Sequence, residues 1–208
     1  QRLGFDQDES IVLYVGRFDP IKGIDRLLEA MAYLKHLKRM RLVIIGGDGR
    51  GTPEHQDLRQ LSAKFGIQQS VRFVGRIEQN QLPPYYSAAD ALVVPSYYES
   101  FGLVGLESLA CGTPVVATRV GAMEDIIEDG KTGHMVTDLT PRGMADSIAK
   151  IISNSADPLL SVHAIRASVL KYGWPNVAAA VFSEYDHMLR NSLSEPALTL
   201  SASAGSSA

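Results

Sequence analysis

Residues 11–23 read Ile-Val-Leu-Tyr-Val-Gly-Arg-Phe-Asp-Pro-Ile-Lys-Gly, and their pattern is the first indication of the fold class. The run Ile11–Val15 is short, apolar and rich in β-branched residues, as expected of a strand that is buried on both faces of a parallel sheet. A polar loop with two glycines follows, and a helical pattern of apolar residues begins at Ile24. A strand, a loop and a helix in this order form the first unit of a βα-repeating fold.

The same alternation continues along the chain. Short apolar runs predict six strands: Ile11–Val15, Leu42–Ile45, Val71–Val74, Ala91–Val94, Val115–Ala117 and His134–Val136. Helical patterns lie between and after them, at Ile24–Leu37, Pro53–Phe65, Gln81–Ala88, Leu103–Cys111, Met123–Glu128, Pro141–Ser153, Leu159–Tyr172 and Val177–Leu189. We therefore predict an α/β fold with a Rossmann-like, doubly wound parallel sheet of about six strands and additional C-terminal helices.

Length and composition predict one globular domain. The chain has 208 residues, of which 45% are hydrophobic, and this is enough to bury a core of ordinary size. We expect the domain to span residues 1–190, with its core at about 11–153. The segment 191–208 is poor in bulky apolar residues, so we expect it to be a disordered tail.

Charge and cysteine usage restrict the function classes. The chain has 20 Lys and Arg residues against 23 Asp and Glu residues, a net charge of −3, so no broad positive field attracts nucleic acid. No apolar run approaches the roughly 18 residues of a membrane span. The single cysteine, Cys111, cannot form an internal disulfide, which is typical of a cytoplasmic protein. Peripheral association of the full-length protein with a membrane stays open.

The expected ligand site lies between two loops. With the strand order 3-2-1-4-5-6, the first and fourth strands are neighbours, and ligands bind where their connections diverge. The loop after the first strand carries Arg17, a forked donor, and Lys22, a point charge, which suit a diphosphate. The loop after the fourth strand enters the helix at Leu103, whose free N–H groups attract phosphate. Carboxylates at Glu99 and Glu107 can accept hydrogen bonds from hydroxyls on either side of the phosphates, so the pattern suits a sugar nucleotide.

These features also have ordinary structural explanations. Arg17 and Lys22 could be solvated charges of a surface turn. Glu99 could cap the helix, and Glu107 could be an exposed residue on its surface. The local pattern alone leaves both explanations open.

Several segments follow, in order, the pattern of a known family. The segment Glu99–Glu107 resembles the Glu-x7-Glu motif of family 4 retaining glycosyltransferases, which have the GT-B fold. Further similar segments are Val15–Phe18, Lys22–Gly23, Phe73–Gly75, Ala88–Ala91, Pro95–Ser96, Cys111–Ala117 and Asp129–Gly133. The resemblance covers residues 11–152 and implies that the chain is the carboxyl-terminal, nucleotide-sugar-binding half of a GT-B fold.

The resemblance also implies roles for the site residues. Glu99, Arg17 and Lys22 are the implied catalytic residues: the cations would stabilise the leaving diphosphate, and Glu99 would hold the donor sugar. Glu107 would hold the ribose hydroxyls, and the backbone near Arg76 would meet the base. The implied donor-binding residues are Gly16, Arg17, Lys22, Gly75, Arg76, Ile77, Glu99, Phe101, Gly102, Leu103, Val104 and Glu107. The family implies no metal and no cofactor besides the nucleoside-diphosphate-sugar donor.

By the same resemblance, the full-length protein would transfer a hexose-type sugar, with retention, to an unidentified acceptor. Ser100–Val104 is similar to the stretch in enzymes that use UDP-glucose or UDP-N-acetylglucosamine, so a UDP-sugar is the preferred donor. We expect the partner, an amino-terminal acceptor domain with a catalytic histidine, to precede Gln1, and this chain alone to be inactive. The alternatives are a non-catalytic nucleotide-binding or interaction module of the same fold, and an epimerase-like enzyme acting on UDP-N-acetylglucosamine.

Overall fold

The computed structural model describes residues 3–6, 8–37, 39–47, 51–153 and 161–194. Parallel strands form a six-stranded sheet in the order β3-β2-β1-β4-β5-β6, which is the predicted order. The strands are β1 (Ser10–Gly16), β2 (Met40–Gly46), β3 (Val71–Gly75), β4 (Ala91–Val94), β5 (Val115–Thr118) and β6 (Gly133–Val136). Each of the six predicted strands is therefore present.

The central strands are covered on both faces. Residues Ile11–Tyr14 of β1 are buried, and so are all residues of β4 and β5. A strand that is buried on both faces must be apolar at successive positions, whereas a half-exposed strand alternates. This requirement explains why short continuous apolar runs, without alternation, located these strands in the sequence.

The described residues form eight α-helices. They are α1 (Ile24–Tyr33), α2 (Pro53–Lys64), α3 (Pro83–Ala88), α4 (Leu103–Ala110), α5 (Met123–Ile126), α6 (Pro141–Ser153), α7 (Val162–Ser168) and α8 (Trp174–Ser194), with short 3₁₀ turns at Pro20–Lys22, Gln79–Gln81 and Leu170–Tyr172. Helix α1 packs against α2 and α6, and α4 packs against α3 and α7, as a doubly wound fold requires. The helix predicted over 159–172 is instead α7 followed by a 3₁₀ turn, and residues 159 and 160 lie outside the described residues.

Helix α1 ends at Tyr33 and not at Leu37, where the sequence pattern predicted its end. Leu34 is buried and Leu37 packs against the core, so the apolar spacing continues after the helix has ended. The Nδ1 atom of His36 lies 3.0 Å from the carbonyl oxygen of Tyr33, and so contacts one of the last carbonyls of the helix. Arg39, at φ 64°, then turns the chain into β2.

The chain divides into two units, Gln1–Leu170 and Lys171–Ala208. The first unit contains the whole sheet and α1 to α7. The second contains α8, a helix of 21 residues that satisfies its backbone hydrogen bonds internally. The predicted domain, residues 1–190, spans the first unit and most of α8, and α8 continues to Ser194, past the predicted start of the tail at residue 191. Residues 195–208 of the expected tail lie outside the described residues.

A helix that crosses a membrane must be both long and apolar. Across the part of the chain that the structure describes, no helix is both long enough and apolar enough to cross a membrane. The longest described helix, α8, has polar and charged residues along its length, including an Arg190–Asp186 ion pair of 2.8 Å.

Gly23 brings the loop after β1 against the loop after β4. Its φ is +66°, and a Cβ atom built on it would lie 2.2 Å from the carbonyl oxygen of Pro95. The N–H of Tyr97 donates to the carbonyl oxygen of Ile21 at 2.8 Å, and the buried Arg26 donates to the carbonyl oxygen of Pro95. Only glycine combines this backbone conformation with so close an approach.

We predict that Gly23→Ala lowers the free energy of unfolding by more than about 3 kcal/mol. Placing alanine in the left-handed backbone conformation costs ~1–2 kcal/mol, and the clash of its Cβ atom with the Pro95 carbonyl adds to that cost. Gly130→Ala is the matched control: its φ is +78°, and no atom of the described residues lies within 4 Å of the added Cβ. The control should lose only ~1–2 kcal/mol. Urea unfolding of both variants measures the difference. Equal losses would show that the two loops do not need this close approach.

Candidate functional site

The loops after β1 and β4 enclose a cavity of about 310 Å³ at the carboxyl ends of these neighbouring strands. The predicted donor-binding residues that line this loop cavity are Gly16, Arg17, Lys22, Glu99, Phe101, Gly102, Leu103 and Val104. The structure therefore brings together the two loops that the sequence predicted to converge. The predicted residues outside the lining are Gly75, Arg76, Ile77 and Glu107.

Lys22 and Glu99 form an ion pair inside the loop cavity. The Nζ atom of Lys22 lies 2.7 Å from Oε1 of Glu99, and the two side chains are only 16% and 13% exposed. The hydroxyl of Ser96 donates to the same carboxylate oxygen at 3.1 Å. Lys22 is therefore not a solvated charge. Glu99 does not cap the following helix either, because the N-cap residue of α4 is Gly102.

Arg17 lies beside this pair but is exposed. Its side chain is 78% exposed, and its Nη2 atom is 3.9 Å from the Oδ2 atom of Asp19. Exposed ion pairs at such distances contribute little to stability, so the guanidinium is held only weakly. The backbone is held more firmly, since the hydroxyl of Tyr14 donates to the carbonyl oxygen of Arg17 at 2.9 Å. The loop is therefore fixed while its outer cation points into solvent.

The start of α4 forms another wall of the loop cavity. Gly102 has φ +90°, and a Cβ atom there would lie 2.3 Å from Cε of Met123 in α5, so glycine allows α5 to pack close to this helix start. The first N–H groups of a helix have no partner within it and carry partial positive charge. Leu103 and Val104 of this first turn line the cavity. The helix end thus adds to the positive charge of Lys22 and Arg17.

Glu107 belongs to a second group of side chains, which we call the Glu107 cluster: Gln79, Tyr86 and Glu107. The hydroxyl of Tyr86 donates to Oε2 of Glu107 at 2.7 Å, and Nε2 of Gln79 donates to Oε1 at 2.9 Å. Tyr86 is only 1% exposed. Glu107 is thus more than a solvated surface residue. The cluster lies next in sequence to Gly75–Ile77, since Gln79 begins the 3₁₀ turn that follows them.

The family model of glycosyl transferases group 1 matches residues 1–166. The chain belongs to this family. D-inositol 3-phosphate glycosyltransferase 2 of Catenulispora acidiphila is 36% identical over 200 residues, which are 92% of this chain and 46% of that protein. D-inositol 3-phosphate glycosyltransferase of Frankia alni is 37% identical over 194 residues, 90% of this chain and 48% of that protein. This group 1 chain therefore spans about half the length of the curated relatives it matches.

Several solved structures share the fold of this chain. Sucrose-phosphate synthase from Thermosynechococcus elongatus aligns with a TM-score of 0.80 at 35% identity, over 91% of this chain and 48% of that one. HepE from Anabaena in complex with UDP aligns with a TM-score of 0.73 at 22% identity, over 88% and 49% of the two chains. The sheet order and these structures confirm the predicted fold, one half of a GT-B architecture.

The sequence analysis assigned no role to four polar residues of the loop cavity and the Glu107 cluster: Ser96, Tyr14, Tyr86 and Gln79. Ser96 had a usable signal, since a hydroxyl three residues before Glu99 in the same loop can reach its carboxylate. Tyr14 looked like an ordinary residue of an apolar strand. Tyr86 and Gln79 reach Glu107 because α3 and the turn before it lie against α4. No local sequence pattern reveals this tertiary packing.

Two buried tyrosines at the site resist ionisation. Burial raises the pKa of Tyr14 well above its usual value of 10.0, and the negative charge of Glu99 adds to the effect. Burial also raises the pKa of Tyr86, together with its hydrogen bond to Glu107. Both phenols therefore remain protonated hydrogen-bond donors in the folded chain through the neutral and mildly alkaline range.

We predict an alkaline loss of stability from these two groups. The unfolded chain releases both phenolic protons near pH ~10, whereas the folded chain retains them, so alkali favours unfolding. Below about pH 10 the stability contribution of the two phenols is fully present, and above it the free energy of unfolding falls by up to ~1.4 kcal/mol per pH unit for each. Urea unfolding between about pH 9 and pH 11 measures this slope.

Tyr14→Phe and Tyr86→Phe should each flatten the alkaline slope, whatever they do to stability at neutral pH. Tyr98→Phe, at an exposed position, is the matched control and should leave the slope unchanged. A slope that stays the same in both buried-site variants would contradict the assignment of the alkaline transition to Tyr14 and Tyr86.

Proposed function

We propose that this chain is the donor-binding half of a retaining glycosyltransferase that transfers a hexose-type sugar from a nucleoside-diphosphate sugar, with a UDP-sugar preferred. The observation that carries this proposal is the Lys22–Glu99 pair in the loop cavity. A diphosphate needs a cation, and sugar hydroxyls need a hydrogen-bond acceptor. A nucleotide sugar joins these two groups directly, so a site that places a cation against a carboxylate suits such a donor.

The charges of the loop cavity support binding of an anionic ligand despite the carboxylate. Two unit charges about 4 Å apart near a protein surface interact by about 4 kcal/mol, so an unpaired Glu99 would strongly repel a diphosphate. Lys22 offsets this charge, and Arg17 and the start of α4 add positive charge on the same side. The negative charge of a leaving diphosphate increases in the transition state, and these groups would stabilise it. The proposal therefore includes no metal and no separate cofactor.

The spacing along α4 suits the next part of a nucleotide. Glu107 is four residues after Leu103, which is about 6 Å along a helix axis. This distance is comparable to the step from a phosphate to the ribose. Glu107 would then bind ribose hydroxyls, and Gly75–Ile77, joined to it through Gln79, would meet the base.

The relatives support the proposed donor and the proposed partner domain. HepE, which has the same fold, was solved in complex with UDP, and Ser100–Val104 resembles the stretch in UDP-sugar enzymes, so UDP is the first nucleotide to test. The curated relatives are about twice as long as this chain. We propose that an amino-terminal domain supplies the acceptor site, that the chain alone is inactive, and that the protein acts in the cytoplasm.

Calorimetric titration with UDP, GDP and ADP tests donor binding. We expect UDP to bind, and both Lys22→Met and Glu107→Gln to weaken binding about ten- to a hundredfold, since each removes a charge-assisted contact of ~1.5–3 kcal/mol. Lys131→Met, which removes an exposed cation outside the loop cavity, should bind UDP like the unchanged chain. Absence of binding by all three nucleotides at millimolar concentration would contradict the proposal.

An assay of the chain joined to an amino-terminal family domain then separates the functions. Sugar transfer that falls strongly in Glu99→Gln supports the transferase. Nucleotide binding without transfer would favour a non-catalytic module. Formation of an epimerised UDP-N-acetylglucosamine product would favour the epimerase-like alternative.

A further inference from the structure

Both carboxylate oxygens of Glu107 already accept hydrogen bonds from protein groups. The inner oxygen, Oε2, accepts from the hydroxyl of Tyr86, which is almost completely buried. The outer oxygen, Oε1, accepts from the side-chain amide of Gln79, which is exposed. A ligand that approaches from solvent therefore meets the oxygen that Gln79 occupies, while Tyr86 remains behind the carboxylate.

The inner partner is itself held rigidly. The hydroxyl of Thr113 donates to the carbonyl oxygen of Tyr86 at 2.6 Å, and the hydroxyl of Ser108 donates to the carbonyl oxygen of Thr113 at 3.1 Å. These residues are buried, and they join α3, α4 and the loop after α4. Because its pKa is raised by burial, the phenol of Tyr86 keeps its proton and remains a donor. Tyr86 thus presents a fixed donor to a charged acceptor in a buried setting, where such hydrogen bonds are strong.

The outer partner has a different setting. Gln79 begins the 3₁₀ turn Gln79–Gln81, which is closed by a bond of 3.3 Å from the N–H of Glu78 to Oε1 of Gln81. Its contact with Glu107 lies at an exposed position, where water competes for the same groups. An amide at such a contact can give way to a ligand hydroxyl at small cost, whereas the phenol of Tyr86 cannot move without leaving a buried oxygen unpaired.

We propose that Tyr86 is the positioning residue that orients Glu107 toward ribose hydroxyls, and that Gln79 occupies the ribose-facing oxygen until a nucleotide replaces it. This inference rests on the proposed function, because it assigns partners to the carboxylate that would bind the ribose. Without the phenolic hydroxyl, the carboxylate would turn toward solvent and lose its orientation. Selection of ribose over a sugar without the 2′ and 3′ hydroxyls therefore depends on Tyr86, although Tyr86 does not touch the ligand.

The test compares the dissociation constants of UDP and 2′,3′-dideoxy-UDP for the 208-residue chain and its variants. The unchanged chain should prefer UDP about tenfold or more, as loss of hydrogen bonds to a charged group predicts. Tyr86→Phe should reduce this preference to about two- or threefold, because it mainly weakens UDP binding. Tyr85→Phe is the matched control: Tyr85 is the neighbouring tyrosine, its ring contacts Phe5, and the variant should keep the full preference. General destabilisation would weaken both ligands equally and leave the ratio unchanged.

Gln79→Ala gives an independent measurement that does not alter the buried residues. It removes the competitor for Oε1, so UDP should bind about threefold more tightly, while 2′,3′-dideoxy-UDP should change less. Weaker UDP binding in Gln79→Ala would contradict the proposed replacement of Gln79, and this variant carries the test if Tyr86→Phe does not fold. An unchanged preference in folded Tyr86→Phe would overturn the inference and leave the proposed function standing. Failure of the unchanged chain to bind UDP, GDP and ADP alike would overturn both.

Discussion

The contact between Gly23 and the carbonyl oxygen of Pro95 is the constraint on which the site depends. Each partner adjoins a residue that lines the loop cavity: Lys22 precedes Gly23, and Ser96 follows Pro95. The close approach of the two backbones therefore brings Lys22 to the carboxylate of Glu99, which Ser96 also contacts. Loops held a few ångströms further apart would separate the charges of Lys22 and Glu99, which are both largely shielded from solvent, at a cost of roughly several kcal/mol.

The buried side chain of Arg26 stabilises this contact between the two loops. Its guanidinium is buried, donates to the carbonyl oxygens of Pro95 and Leu139, and lies 4.3 Å from the ring centre of Tyr97. Among the described residues it forms no ion pair, and its Nε atom has no hydrogen-bond partner. Carbonyl oxygens and an aromatic face thus replace a carboxylate as its surroundings. Arg26 therefore joins α1 to the loop after β4 and to the loop after β6.

The sheet and the loop cavity could be predicted from the sequence, because short local patterns identify the strands and the strand order then determines which loops meet. A strand buried on both faces must be a short apolar run, and the strand order then places the loops after β1 and β4 together. The ion pair between Lys22 and Glu99 was not predicted, because both residues were assigned to a ligand. The partners of Glu107 were not predicted either: Tyr86 reaches it only through the packing of α3 on α4. The end of α1 was missed since Leu37 remains in the core after the helix stops.

The differing exposure of Arg17 and Lys22 has a kinetic consequence. The chain carries a net charge of −3, and Glu99 already compensates Lys22, so neither the overall charge of this chain nor the interior of the loop cavity attracts an anion over long range. Of the two cations among the described residues that line the loop cavity, Arg17 has the exposed side chain. The diphosphate of the proposed donor would encounter Arg17 first, where salt with a screening length of about 8 Å weakens the attraction. Arg17 would then govern the association rate and its dependence on ionic strength, while Lys22, shielded from solvent, would govern how long the nucleotide stays.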